Sequence, residues 1–256
     1  MACAQTNLQL FNQLRQAGYA EADLARVAAA YGLTMTLFTG QFRPSGKTFL
    51  AHLVGTASIL ATCDEPPEVV TAGLLHAAYA SGEWGDGGPR VSWKRRSRVQ
   101  DAVGTQVEDL VHRYTRLTWN ARTIPGLGSR VESLDETERR IVVMRLANML
   151  EDYLDGAMSY CRKSSDEKQA PSHQALAVDM AARLGLALLA TSLSEAFQHA
   201  VDDAPPALLR AEWASFTIVP QSHWRRPDLA VRDRISTWRT WARRGVQGRG
   251  GSRRVS

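Results

Sequence analysis

The chain has 256 residues, 44% of them apolar, and a net charge of +5, enough for one sizeable core with or without a short appendage. No apolar run is long enough to span a bilayer; the longest, residues 184–193, has about half the needed length. The opening MACAQTNLQL lacks the basic-then-apolar pattern of a signal peptide, and Cys3, Cys63 and Cys161 form no CxxC pair, so the chain reads as a cytoplasmic protein with reduced thiols.

Helical periodicity dominates from the start. Leu8, Leu10, Phe11 and Leu14 form an apolar stripe before Gly18, and Leu24, Val27, Ala28 and Tyr31 form another before Gly32. A helix is expected over residues 48–62, broken by CDEPPEVV, and the next starts with Pro67 in its first turn and runs to about residue 80. SGEWGDGGPR, residues 81–90, reads as a glycine-rich loop, with Trp84 equally suited to packing or to a ligand. The run WKRRSR, residues 93–98, reads as a solvated charged face. A helix over 103–117 follows, then a polar loop. Ser133 and Glu136 have capping-box spacing for a long helix ending near residue 158. Further helices are expected over 172–200 and 205–215, and residues 215–219 carry the only hint of a strand. From Trp224 onward lysine is absent and arginine abundant. This tail, with Trp238, Trp241 and a glycine-rich end, reads as a frayed, solvated terminus rather than a nucleic-acid interface. The fold class is all-α.

One constellation stands out. His52 lies one turn inside the helix that follows the basic turn TGQFRPSGK, and His76 lies near the end of the next helix, in AGLLHAAYA. Imidazoles on neighbouring helices are a common way to hold a transition metal. In VMRLANMLEDYLD, Asn148, Glu151 and Asp152 share a helix face by their i, i+3, i+4 spacing, with Asp155 close by. Acidic groups in so apolar a helix suggest a shared polar pocket. On spacing alone, buried histidines of this kind are more often satisfied core residues than ligands.

The segment GQFRPSGKTFLAHLVGTASIL resembles the opening of the RelA/SpoT hydrolase domain, a member of the HD superfamily. AGLLHAAYA, VGTQVEDLVHRYTRL and RLANMLEDYLD are similar to that domain's following segments, in order and at similar spacing. The resemblance implies an HD-like helical bundle over residues 33–200, with N-terminal helices (1–32) packed on it and a helical, arginine-rich extension (201–256) that is partly disordered. In that family two histidines and two aspartates hold a divalent metal, which activates water against a nucleotide pyrophosphate. His52 and His76 match the histidines, whereas Ala77 and Asn148 stand where the aspartates belong. Ala80 and Ser81 replace a glutamate–aspartate pair, and Asp152 falls where the family has an asparagine.

The resemblance therefore implies a metal set of His52, His76, Asn148 and Asp152, holding manganese or iron if any metal. It implies roles at the site for His52 and His76 and nucleotide contacts from Arg43, Ser45 and Lys47; the residues themselves add Glu83 and Asp152 as catalytic groups of a rebuilt site, Tyr79 at its mouth, suited equally to packing or to a ligand, and Arg116 as a phosphate contact, for which a surface charge is the stronger reading. An amide carbonyl ligates a divalent ion more weakly than a carboxylate, and alanine does not ligate at all. Three outcomes stay open: a site rebuilt from Glu83, Asp86, Glu151 or Asp152; a metal-free pocket with His52 or His76 as acid or base; or a structural relic. The leading expectation is a phosphohydrolase-like enzyme acting on a nucleotide or other phosphorylated, anionic small molecule through the rebuilt site. The alternatives are a metal-independent pocket protein, either a ligand-binding module or a tailoring enzyme of specialised metabolism, and an inactive interaction protein.

Overall fold

A computed structural model describes residues 3–86, 90–154, 156, 171–202 and 216–217. Asp155, Cys161, the expected 205–215 helix and the arginine-rich tail lie outside them. The described residues fall within one compact unit, Met1–Ile218. It is an all-α bundle. In chain order it contains α1 (Asn7–Gln16), α2 (Glu21–Phe38), β1 (Gln41–Phe42), α3 (Phe49–Thr62), α4 (Pro67–Leu75), α5 (Ala78–Ser81), α6 (Trp93–Val103), α7 (Thr105–Arg116), α8 (Ile124–Ser129), a 3-10 turn (Val131–Ser133), α9 (Glu136–Leu154), α10 (Pro171–Arg183), α11 (Ala187–Asp202) and β2 (Phe216–Thr217). The strand hint is thus a two-residue segment that pairs antiparallel with β1. Among the described residues no helix is long and apolar enough to cross a membrane.

Helix α3 is the centre of the bundle. It is buried almost from end to end and packs against α1, α2, α4 and α9. A Cβ on Gly73 of α4 would meet the Leu60 side chain at 2.6 Å and the Ala57 backbone at 3.4 Å, so small residues bring α3 and α4 close. Helix α1 clips onto α3 through Gln13, whose side-chain amide donates to the Ser58 carbonyl and accepts from the Ser58 hydroxyl.

Several boundaries differ from expectation. Helix α2 runs through Gly32 without a break, because Leu33, Leu37 and Phe38 extend its buried face by another turn. The helix begun by Pro67 stops at Leu75, and His76 and Ala77 form a turn before α5. The cap of α9 is Asp135 with Glu138 rather than Ser133 with Glu136. Asp135 accepts from the Glu138 N–H at 2.7 Å and Glu138 from the Asp135 N–H at 3.3 Å, while the Ser133 hydroxyl bonds to the Arg130 carbonyl. The 172–200 stretch is two helices, separated at Gly185 (φ 78°), where the Gly185 and Leu186 N–H groups close on Ala182 and Ala181.

The run 93–98 is a solvated face only in part: Trp93, Lys94 and Arg98 are exposed, whereas Arg95 turns inward. The run forms the first half of α6, capped by Ser92. Arg95 is buried, pairs with Asp86 and lies over the Trp84 ring; Arg96 pairs with Glu108 at 2.7 Å. Glu108 is fully buried on α7 and also accepts from Tyr79 and Gln100. Burial alone would raise its carboxyl, but these donors outweigh that effect and hold it below the ordinary carboxylate value. Charge in this run is spent on closing α6 onto α7. Glu108→Gln keeps the shape and removes the charge, and is expected to cost about 1–3 kcal/mol in urea unfolding at neutral pH. A depressed native carboxyl contributes stability above its unfolded value and loses it as pH falls, so the deficit of the variant should shrink on acidification.

Candidate functional site

The site begins with a turn. In residues 43–47 the Gly46 N–H donates to the Arg43 carbonyl, the Arg43 N–H donates to the Lys47 carbonyl, and Phe42 bridges Thr48. Gly46 has φ 85°, a left-handed conformation that glycine adopts without steric cost. Arg43 and Lys47 lie opposite each other across this turn, so both side chains reach α9 from the same face. Lys47 pairs with Glu151, and Arg43 pairs with Asp152 at 2.6 Å. The Thr48 hydroxyl then caps α3, which puts His52 one turn in and against the same two carboxylates. His52 Nδ1 bonds to Glu151 and lies 3.6 Å from Asp152.

Glu151 reaches this position because Gly55 has no side chain. A Cβ there would lie 2.7 Å from both Cγ and Oε1 of Glu151. Glycine at this crossing is a packing requirement of the site.

On its other side His52 meets Asn148. The Asn148 oxygen accepts from the Tyr114 hydroxyl at 2.9 Å and from Arg145 at 2.8 Å. Arginine only donates, so the atom facing it is the oxygen, and the amide NH2 faces His52 Nε2 at 3.1 Å. Nε2 is then an acceptor, and the proton of the neutral ring sits on Nδ1, donated to Glu151. His76 lies at the end of α4, with its ring 5.2 Å from those of both His52 and Tyr114. Its Nδ1 bonds to the Gly73 carbonyl at 2.8 Å, leaving the Nε2 lone pair without a hydrogen-bond partner among the described residues. Burial is the main force holding both imidazoles well below the ordinary value of 6.5. Arg43 adds to it at His52 against the opposing pull of Asp152, and His52 adds to it at His76. Burial raises the Tyr114 phenol, which remains a donor.

His52, Glu151 and Asp152 present ligand atoms within 4.8 Å of one another, a grouping that can hold a metal ion. The divalent ion implied by the sequence resemblance fits these residues poorly. Each carboxylate is already held by a cation, and both nitrogens of His52 are engaged in hydrogen bonds.

The structure gathers Arg43, Ser45, Lys47, His52, His76, Asn148 and Asp152 in one region. The Ser45 hydroxyl accepts from the Lys47 N–H at 3.4 Å within the turn. Three other expected residues are not part of this network. Tyr79 is buried, stacks on Trp84 and donates to Glu108. Glu83 is exposed, its backbone N–H bonded to the Leu37 carbonyl, and Arg116 is exposed at the end of α7. Tyr114, Arg145 and Gly55 were not singled out from the sequence. Arg145 sits three residues before Asn148, and that spacing is a signal that identifies it; Tyr114 and Gly55 have no comparable signal.

A family profile described as a domain of unknown function (DUF6817) matches residues 34–118, which include His52, His76 and Tyr114 but not α9. A protein of Streptomyces antibioticus named GTP pyrophosphokinase is 26% identical over 163 residues. The match covers 64% of this chain and 18% of that protein, so the chain spans less than a fifth of its relative's length.

Gly55→Ala should push Glu151 off His52 and Lys47, at a cost of about 1–3 kcal/mol by denaturant unfolding. Its cost should be non-additive with that of Glu151→Ala, as a double-mutant cycle would register. His52 and His76 are held neutral below their unfolded value. The native state therefore binds fewer protons than the unfolded chain, and stability should fall as pH drops below 6.5. His76→Gln should flatten that slope in melting curves taken across the pH range.

Proposed function

We propose that this chain binds a nucleotide or other phosphorylated small molecule in the pocket between the 43–47 turn, α3, α4 and α9. The carrying observation is the clustering of Arg43, Lys47 and Arg145 with Glu151 and Asp152, beside two buried imidazoles held toward the neutral form. Guanidinium and ammonium groups gathered in this way suit an anion. The side chains of Arg43 and Lys47 keep 22% and 13% of their exposure, so a ligand reaches them without unfolding the bundle. The name of the Streptomyces relative supports a nucleotide-related role.

In this reading Arg43, Lys47 and Ser45 hold the phosphate, and His76 Nε2, without a hydrogen-bond partner among the described residues, accepts a proton or a hydrogen bond from the ligand. His52 is a positioning residue, held on both sides. The second reading is a metal-dependent phosphohydrolase rebuilt on His52, Glu151 and Asp152. Their convergence favours it, and the cations already on both carboxylates weigh against it.

Calorimetric titration with guanosine diphosphate, guanosine triphosphate and inorganic pyrophosphate tests the binding reading. At least one probe should bind, and Arg43→Gln or Lys47→Gln should weaken it by roughly tenfold to a hundredfold through loss of a charged hydrogen bond. No binding by any probe, or binding indifferent to both substitutions, would sink the proposal.

A further inference from the structure

We infer that this pocket works without a divalent ion, the Asn148 amide and the side-chain cations standing where an ion and its charge would be. The inference takes its ligand class from the function proposed above, but its argument about metal is independent of it.

A metal needs electron pairs, and the pocket offers few. On the Nδ1 side of His52, ligation would require that ring nitrogen to shed its proton. The ion would also share Glu151 and Asp152 with Lys47 and Arg43, which already draw on their charge. On the Nε2 side, the group next to the lone pair is an N–H donor. Turning the Asn148 amide over to offer its oxygen would point NH2 at Tyr114 and Arg145, which are both donating at that position. Arginine has no acceptor, so this orientation is repulsive. Ala77 supplies no donor atom, which leaves His76 Nε2 as the free imidazole electron pair. Charge points the same way: Arg43 and Lys47 already neutralise Asp152 and Glu151 before any ion adds its own two charges. Phosphate charge would here be offset by guanidinium and ammonium groups, so binding should be indifferent to chelators and weaken with salt.

The test uses the full chain purified without chelator or added metal. Elemental analysis should find no stoichiometric manganese, iron or zinc. Added Mn²⁺ should neither raise the melting temperature nor broaden the His52 and His76 imidazole resonances, and nitrogen shifts should show His52 protonated on Nδ1. Stoichiometric metal, or Mn²⁺ broadening of either ring, would overturn the inference. Asn148→Asp places a carboxylate at His52 Nε2 and should gain a Mn²⁺-dependent rise in melting temperature. If a folded variant gains none, the amide is not what excludes the ion, and the inference falls. A metal-free protein that binds no phosphorylated probe would sink only the proposed function. Pyrophosphate binding abolished by chelator would overturn only the inference drawn here.

Discussion

The site depends on one buried carboxylate. Glu151 is 1% exposed on α9, yet it is bonded to both His52 and Lys47. A carboxylate so far from water persists only with strong donors around it. Those donors come from the first turn of α3 and from the 43–47 turn just before it, so the demand of this single group fixes how the turn, α3 and α9 meet. Gly55 makes the meeting sterically feasible. Because α3 is also the helix on which α1, α2 and α4 pack, the electrostatics of Glu151 and the packing of the bundle are one constraint.

A second constraint runs through Asn148. Its amide is read on both sides: by Tyr114 and Arg145 at the oxygen, and by His52 at the nitrogen. Such a chain of donors and acceptors has one consistent polarity, set by the end that can only donate. The polarity passes from Arg145 through Asn148 and His52 to Glu151, and it assigns the His52 proton to Nδ1. With an amide rather than a carboxylate at this position, Tyr114 and Arg145 still donate to an oxygen, but His52 Nε2 faces a donor instead of an acceptor. The amide nitrogen facing His52 therefore presents a donor where a ligand atom would be needed.

Much of the fold was legible in the sequence. The apolar periodicity around α1, α3, α7 and α9 located those helices, and Pro67 marked the start of α4. The differences have separate causes. Charge read residue by residue makes the 93–98 run look solvated throughout, whereas Arg95 is buried against Asp86 and half-buried Arg96 pairs with Glu108, partners that local spacing does not reveal. The cap of α9 was misplaced by two residues because two capping patterns overlap in SLDETE. Gly32 was read as a stop, yet the buried face beyond it outweighs its cost in a helix. Gly185 carried a readable stop, because its positive φ completes the end of α10.

For the site, the sequence by itself determined the residue types: two histidines on consecutive helices, a basic glycine-containing turn, and an amide followed by two acids at helical spacing. It also determined what is missing, since Ala77 and Asn148 are plain in the chain. Only the tertiary structure decided what those groups do to one another. It put Lys47 and Arg43 on the carboxylates, turned the Asn148 amide toward His52, and tied His76 Nδ1 to the Gly73 carbonyl, while Tyr79 and Glu83 went to other surroundings. The reason is that hydrogen-bond polarity and charge pairing depend on distances between residues far apart in the chain, and spacing along one helix constrains only that helix.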